Sequence, residues 1–158
     1  MAILSAVVAS LSFLAGSRFT ALFHGASALV GGLWSLISAV VVLQSTRRAT
    51  IDSVWRRLFG TFIGAALSAI YLSLFPFSLW GLALCVGLTV LAGQAAGAPD
   101  HARLAAITVA VVMITAKADP AAPPVLDAAL RFAESCIGTA ITAAAVFLWP
   151  ESLPAGRR

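Results

Sequence analysis

Asp127, Arg131 and Glu134 stand together inside an apolar stretch near the end of the chain. Spaced four and three residues apart, they share one face of a helix. Two kinds of chemistry are open to such a group. A guanidinium within a bilayer can hold a carboxylate, because its fork of N–H donors matches the two carboxylate oxygens. Alternatively, the two acids pair with Arg131 along their own helix and neutralise it. Glu134 divides in the same way, as an ion-pair partner or as a protonatable acid coupled to transport. Arg57 opens another apolar stretch, either as an attractor of anions or as a side chain that snorkels to lipid headgroups. Arg18 interrupts the first apolar stretch close to its far end, where it can snorkel or line a path. No catalytic constellation accompanies these charges. His24 and His101 have no acid or nucleophile at a useful spacing. Cys85 and Cys136 lie far apart in apolar runs, where cysteine packs as a small hydrophobe. No metal cluster, phosphate loop or cofactor motif is present, so the expectation is a protein that is not an enzyme and carries no cofactor or metal.

The elements that must position these residues are membrane spans. Of 158 residues, 61% are hydrophobic and 10% charged, with a mean hydropathy of +1.01. Soluble domains carry roughly 25% charged residues. Apolar runs give spans over about Ile3–Phe23, Ala26–Gln44 (with the block Leu36–Leu43), Leu58–Phe75, Ser78–Gln94, Leu104–Thr115 and Leu126–Trp149, the last ended by Pro150. The fifth is short for a crossing of ~20 residues, and it extends to Lys117 or sits deep in the bundle. The first resembles the apolar part of a signal peptide but has no basic residues before it, and it reads as a retained span. Between the second and third, Ile51, Val54, Trp55 and Leu58 share a helical face and Asp52 precedes Arg56 by one turn. That pattern predicts a short amphipathic helix on the inner membrane surface, running on into the third span.

The net charge is +4. All Lys and Arg except Arg18, Lys117 and Arg131 fall on one side of this layout, which places that side and both termini in the cytoplasm. The charge is therefore topological, and nucleic acid is not an expected partner. Trp34, Phe75, Phe77, Trp80 and Trp149 fall near span ends, where aromatic residues anchor at the interface. Gly60 with Gly64, and Gly93 with Gly97, have the spacing of close helix contacts, and Gly138 stands at the equivalent of Gly64. Gln94 and Thr115 are candidates for hydrogen bonds across helices.

The chain also matches itself at an offset of 74 residues. Seven of twenty positions are identical between Arg57–Pro76 and Arg131–Pro150, among them the arginine, a glycine (Gly64, Gly138) and the final proline. Ile37–Leu43 corresponds more loosely to Ile107–Met113. Three spans per half is an odd number, so the halves, about 3–76 and 78–150, enter the membrane from opposite sides. The expected architecture is an all-α membrane protein of six helices arranged as two inverted three-helix repeats, in one domain over 1–158. Inversion would set Arg57 and Arg131 at opposite mouths of one structure.

Trp34-Ser-Leu-Ile-Ser-Ala-Val-Val-Val-Leu-Gln44, followed by Arg57-Leu-Phe-Gly60-Thr61-Phe-Ile-Gly64-Ala65, resembles the fusaric-acid-resistance and aromatic-acid-exporter superfamily, to which the plant aluminium-activated malate transporters are related. Arg131-Phe-Ala-Glu134, Gly138 and Pro150 resemble that family's last span. The resemblance covers about residues 3–150. It departs at Ser45, where family patterns often have Pro, and in the absence of a soluble domain before Arg158. It implies export or conduction of organic anions, aromatic carboxylates first, by a homo-oligomer, with a dimer favoured because so small a bundle has little room for a path of its own. Its setting would be a bacterial inner membrane. The alternative is a non-transporting scaffold or assembly subunit, consistent with the small size.

Overall fold

The computed structural model describes residues 2–120 and 122–148. Its six α-helices are α1 (Ala2–Phe23), α2 (Ala28–Val42), α3 (Arg47–Leu74), α4 (Leu79–Ala95), α5 (Pro99–Ala118) and α6 (Pro124–Leu148), with a 3₁₀ turn at Gly25–Ser27. Counting α2 together with the preceding turn (Gly25–Val42, 18 residues), five are long and apolar enough to cross a membrane, and α4, with 17 residues, falls just short. At a rise of about 1.5 Å per residue it spans about 25 Å, against a hydrocarbon core of ~30 Å. The fifth span is longer than its apolar core suggested, because Pro99 at the first turn and the acidic Asp100 start the helix before the hydrophobic run begins.

The stretch read as a short amphipathic helix running on into the third span is the beginning of α3, which runs unbroken from Arg47 to Leu74. Thr46 caps it, accepting a hydrogen bond from the Ala49 amide at 3.2 Å. At 28 residues, α3 measures about 42 Å, longer than a hydrocarbon core of ~30 Å requires. Arg56 does not pair with Asp52 on its own helix. It reaches Asp100 on α5 at 2.9 Å instead.

Short connections make successive helices antiparallel. The starts of α3 and α5 gather Arg47, Arg48, Arg56 and Arg103 on one face, the basic face. The turns at His24 and Asp119 lie together on the opposite face, joined by a His24 Nε2–Asp119 Oδ2 contact of 3.4 Å. Sequence spacing alone gave His24 no acidic partner, because Asp119 is supplied by a different loop.

In the bundle α1 packs on α2 and α4 on α5, while α3 packs against α5 and α6, and α6 against α2. Small clusters such as Leu4, Val8 and Ala39, or Cys85, Val109 and Met113, fill the apolar interior. Beside them lies a buried polar seam of Thr20, Ser38, Thr61, Ser135, Thr139 and Thr142. Large apolar residues such as Leu22, Leu29 and Trp80 face outward. A polar interior under an apolar exterior is the arrangement expected when the solvent is lipid and helices associate through small and hydroxylic residues. The protein is a multi-pass membrane protein.

Gly97 does not pack against a neighbouring helix, contrary to its expected role: no atom lies within 4 Å of the Cβ position. Its φ is +67°, and it ends α4. The Ala98 amide donates to the Gly93 carbonyl at 2.8 Å and the Gly97 amide to that of Gln94 at 3.0 Å, a left-handed cap that satisfies the last carbonyls. Gly97→Ala is expected to destabilise the protein by about 1–2 kcal/mol, read from thermal unfolding in detergent micelles. A melting curve identical to the wild type would exclude this cap as a stabilising feature.

Candidate functional site

The buried charged residues come from α3 and α6, and the arginine of α3 meets α2. Spaced along α6, Asp127, Arg131 and Glu134 project from one face and are all buried. Arg131 Nη1 lies 3.0 Å from Glu134 Oε2, and Nε lies 3.4 Å from Asp127 Oδ1. Each acid has a second partner from another helix. The Thr20 hydroxyl of α1 donates to Glu134 Oε1 at 2.6 Å, and the Thr115 hydroxyl of α5 donates to Asp127 Oδ2. Thr115 thus bonds across helices as its position in the run suggested, whereas Gln94 is exposed. Arg131 is thus held between two acids of its own helix in ion pairs, without a hydrogen bond from its nitrogens to either.

Arg57 is also buried, with 1% of its surface exposed, and so does not snorkel. Its Nη2 donates to the Ser38 hydroxyl at 3.1 Å, and its guanidinium lies over the Trp34 ring, 4.7 Å from the centroid. Among the described residues, no carboxylate lies within ion-pair distance of it. Trp34, expected as an interface anchor, is instead an interior residue with 4% exposure. Its indole N–H donates to the Arg131 carbonyl at 2.9 Å, so one tryptophan links the backbone of one arginine to the guanidinium of the other. Both arginines lie inside the bundle. Ser38 continues the seam to the Ser135 hydroxyl at 2.9 Å, and Ser135 approaches Thr61 at 3.4 Å. Arg18 lies on an exposed position of α1, away from this seam.

Glycines set how closely the helices approach. A Cβ on Gly64 would strike the Ala105 carbonyl, and one on Gly138 the Ser35 carbonyl. Gly60 lies against Leu104 and the His101 carbonyl, and Gly93 against Ala102. Gly31 leaves room for the Glu134 carboxylate, whose Oε1 would be 2.5 Å from a Cβ placed there. Sequence reading missed Gly31, Thr20, Ser38 and Ser135. Small and hydroxylic residues are common in apolar helices, and nothing local marks these four.

Recesses open on both faces of the bundle. On the His24 face, a recess of about 420 Å³ is lined by the turn before α2 and its first residues (Ser27, Val30), the end of α5 and the residue after it (Thr115, Asp119) and the start of α6 (Asp127, Arg131). On the basic face, one of about 290 Å³ is lined by the end of α2 (Val41, Gln44), the start of α3 (Ser53, Arg56) and the start of α5 (Asp100, Arg103). Among the described residues, no group of three or more His, Cys, Asp or Glu could hold a metal ion.

A family model described as fusaric acid resistance protein-like matches residues 14–145, from the middle of α1 nearly to the end of α6. The chain belongs to the fusaric acid resistance protein-like family. That family comprises membrane proteins that generally serve transport and efflux and are generally not enzymes. No curated protein and no solved structure matches the chain. The match to the fusaric acid resistance protein-like family covers Arg57, Arg131 and every residue of the polar seam.

Proposed function

We propose that the protein moves organic anions, carboxylates first among them, across a bacterial inner membrane in the direction of export. The observation that carries this reading is the pair of recesses on opposite faces, each assembled from helix ends, one of them lined by a buried arginine and the other by a residue one helical turn from a second. Arg131 lines the recess on the His24 face. Ser53, in the wall of the other, lies one helical turn from Arg57. A buried arginine in a membrane protein marks a functional path unless its surroundings account for it, and those of Arg57 supply no counter-charge. A scaffold subunit has no use for a recess on each side.

We further infer that α1–α3 and α4–α6 form two inverted repeats. The packing pattern supports this, since exchanging the halves turns α1 on α2 into α4 on α5, and α2 on α6 into α5 on α3. Thr61 and Ser135, which occupy equivalent positions at the offset of 74, approach each other where α3 crosses α6. That is where a pseudo-two-fold axis would run. Gly64 on Ala105 and Gly138 on Ser35 are equivalent contacts. The excess of arginine on the basic face supports a cytoplasmic position for that face, with the charged first turns of α3 at the membrane surface. A homodimer would let two such small bundles share a path.

Reconstituted in liposomes, the protein is expected to pass benzoate faster than empty vesicles do. Arg57→Ala should cut that flux by at least about tenfold, the scale of losing one charge-assisted hydrogen bond. No flux of benzoate or of a dicarboxylate under imposed voltage or pH gradients would overturn the transport reading and favour the scaffold.

A further inference from the structure

We propose that the substrate's carboxylate is held by Arg57 and Ser38 beside Trp34, that Arg131 does not bind it, and that the site accepts a monocarboxylate in preference to a dicarboxylate. The proposal rests on the transport reading above. Its starting point is how the two halves differ. At the offset of 74, Asp127, Arg131 and Glu134 correspond to Ser53, Arg57 and Gly60. One half therefore keeps the arginine and carries neither acid.

The consequence for charge is direct. Arg131 has a carboxylate on either side, at 3.4 and 3.0 Å. An arriving anion would meet two like charges in a medium that screens them poorly. Arg57 is equally buried, but its partners are neutral: the Ser38 hydroxyl at 3.1 Å and the Trp34 ring. A buried cation without a counter-ion is unfavourable, and an anion brought to it removes that penalty. The guanidinium carries five N–H donors, and Ser38 engages Nε at 3.4 Å and Nη2. The remaining donors suit a carboxylate.

Approach from the basic face is favoured by Arg103 in the wall of its recess, while Arg56 is already paired with Asp100. One unpaired arginine compensates one negative charge. A second carboxylate on the same ligand would be left among Ser38, Thr61 and Ser135, which bring hydroxyl groups and no cation.

The test is ligand binding, independent of flux. With Trp55, Trp80 and Trp149 replaced by phenylalanine, Trp34 is the remaining tryptophan, and its emission reports the state of the guanidinium on its ring. Titrated into this protein in nanodiscs, benzoate is expected to give a saturable change, with succinate at least about tenfold weaker. Arg57→Gln should weaken benzoate at least about tenfold, and Ser38→Ala severalfold. Should Arg57→Gln fail to fold, Ser38→Ala and the benzoate-to-succinate ratio decide. Benzoate binding undiminished in these variants, or succinate binding as tightly as benzoate, overturns the proposal. So does the absence of any saturable response. Benzoate flux persisting in Arg57→Gln liposomes would remove this site and leave transport standing. A saturable, Arg57-dependent response in a protein without flux would keep the site and sink the transport reading.

Discussion

Arg131→Ala will destabilise the protein by about 3–5 kcal/mol, the range for leaving buried charges without their partner. Asp127 and Glu134 each have one hydroxyl from another helix, Thr115 and Thr20, but these do not replace a cation. The loss comes from two stranded carboxylates more than from a missing attraction, and this gives a sharp second expectation. The triple variant Asp127→Asn, Arg131→Met, Glu134→Gln should recover most of the lost stability, because an intact but uncharged cluster avoids the desolvation penalty. Unfolding by heat or denaturant in detergent micelles measures both. A loss under about 1 kcal/mol for Arg131→Ala would mean that the acids find water or protons easily. A triple variant no better than the single would mean that the ion pairs themselves hold α6 in place.

The second large effect belongs to the glycines. Gly138→Ala and Gly64→Ala should each destabilise the protein by about 1–3 kcal/mol, the usual scale of overpacking. In both cases the obstacle is a carbonyl of the facing helix, Ser35 or Ala105. Backbone cannot rotate aside as a side chain can, so relief requires the helices to separate along the polar seam. Gly87 provides the control, since nothing lies within 4 Å of its Cβ position. There alanine should be neutral or stabilising by about 0.5–1 kcal/mol through the better helix propensity. The same micelle unfolding assay compares all three. Equal behaviour of Gly87→Ala and Gly138→Ala would exclude close helix approach as the reason for the glycine.

The pairing of Arg131 was legible in the sequence because both acids lie within one turn of it, and helix geometry converts such spacings into contacts. The surroundings of Arg57 were not legible. They come from Ser38 and Trp34 on α2, and no local rule says which face of α2 meets α3. Trp34 illustrates the same limit: tryptophan near the end of an apolar run reads as an interface anchor, and only the packing of α6 on α2 turns it inward. Gly93 and Gly97 share one spacing, yet one lies against Ala102 and the other ends a helix. Spacing describes a face, and Gly97 has left the helix on which that face exists.

The sequence by itself determined that the chain is a bundle of membrane helices, where most of them lie, which family it resembles and that Arg131 has acids within reach. Each of these depends on sums or spacings within about twenty residues, or on comparison of one stretch with another. Only the tertiary structure decided that Arg57 is buried without a carboxylate, that Arg56 chooses Asp100 over Asp52, that His24 meets Asp119, and that Thr61 touches Ser135. These contacts join residues brought together by the packing of separate helices. In a lipid-solvated bundle that packing is set by small side chains and hydroxyl groups, whose individual positions carry almost no signal in hydropathy.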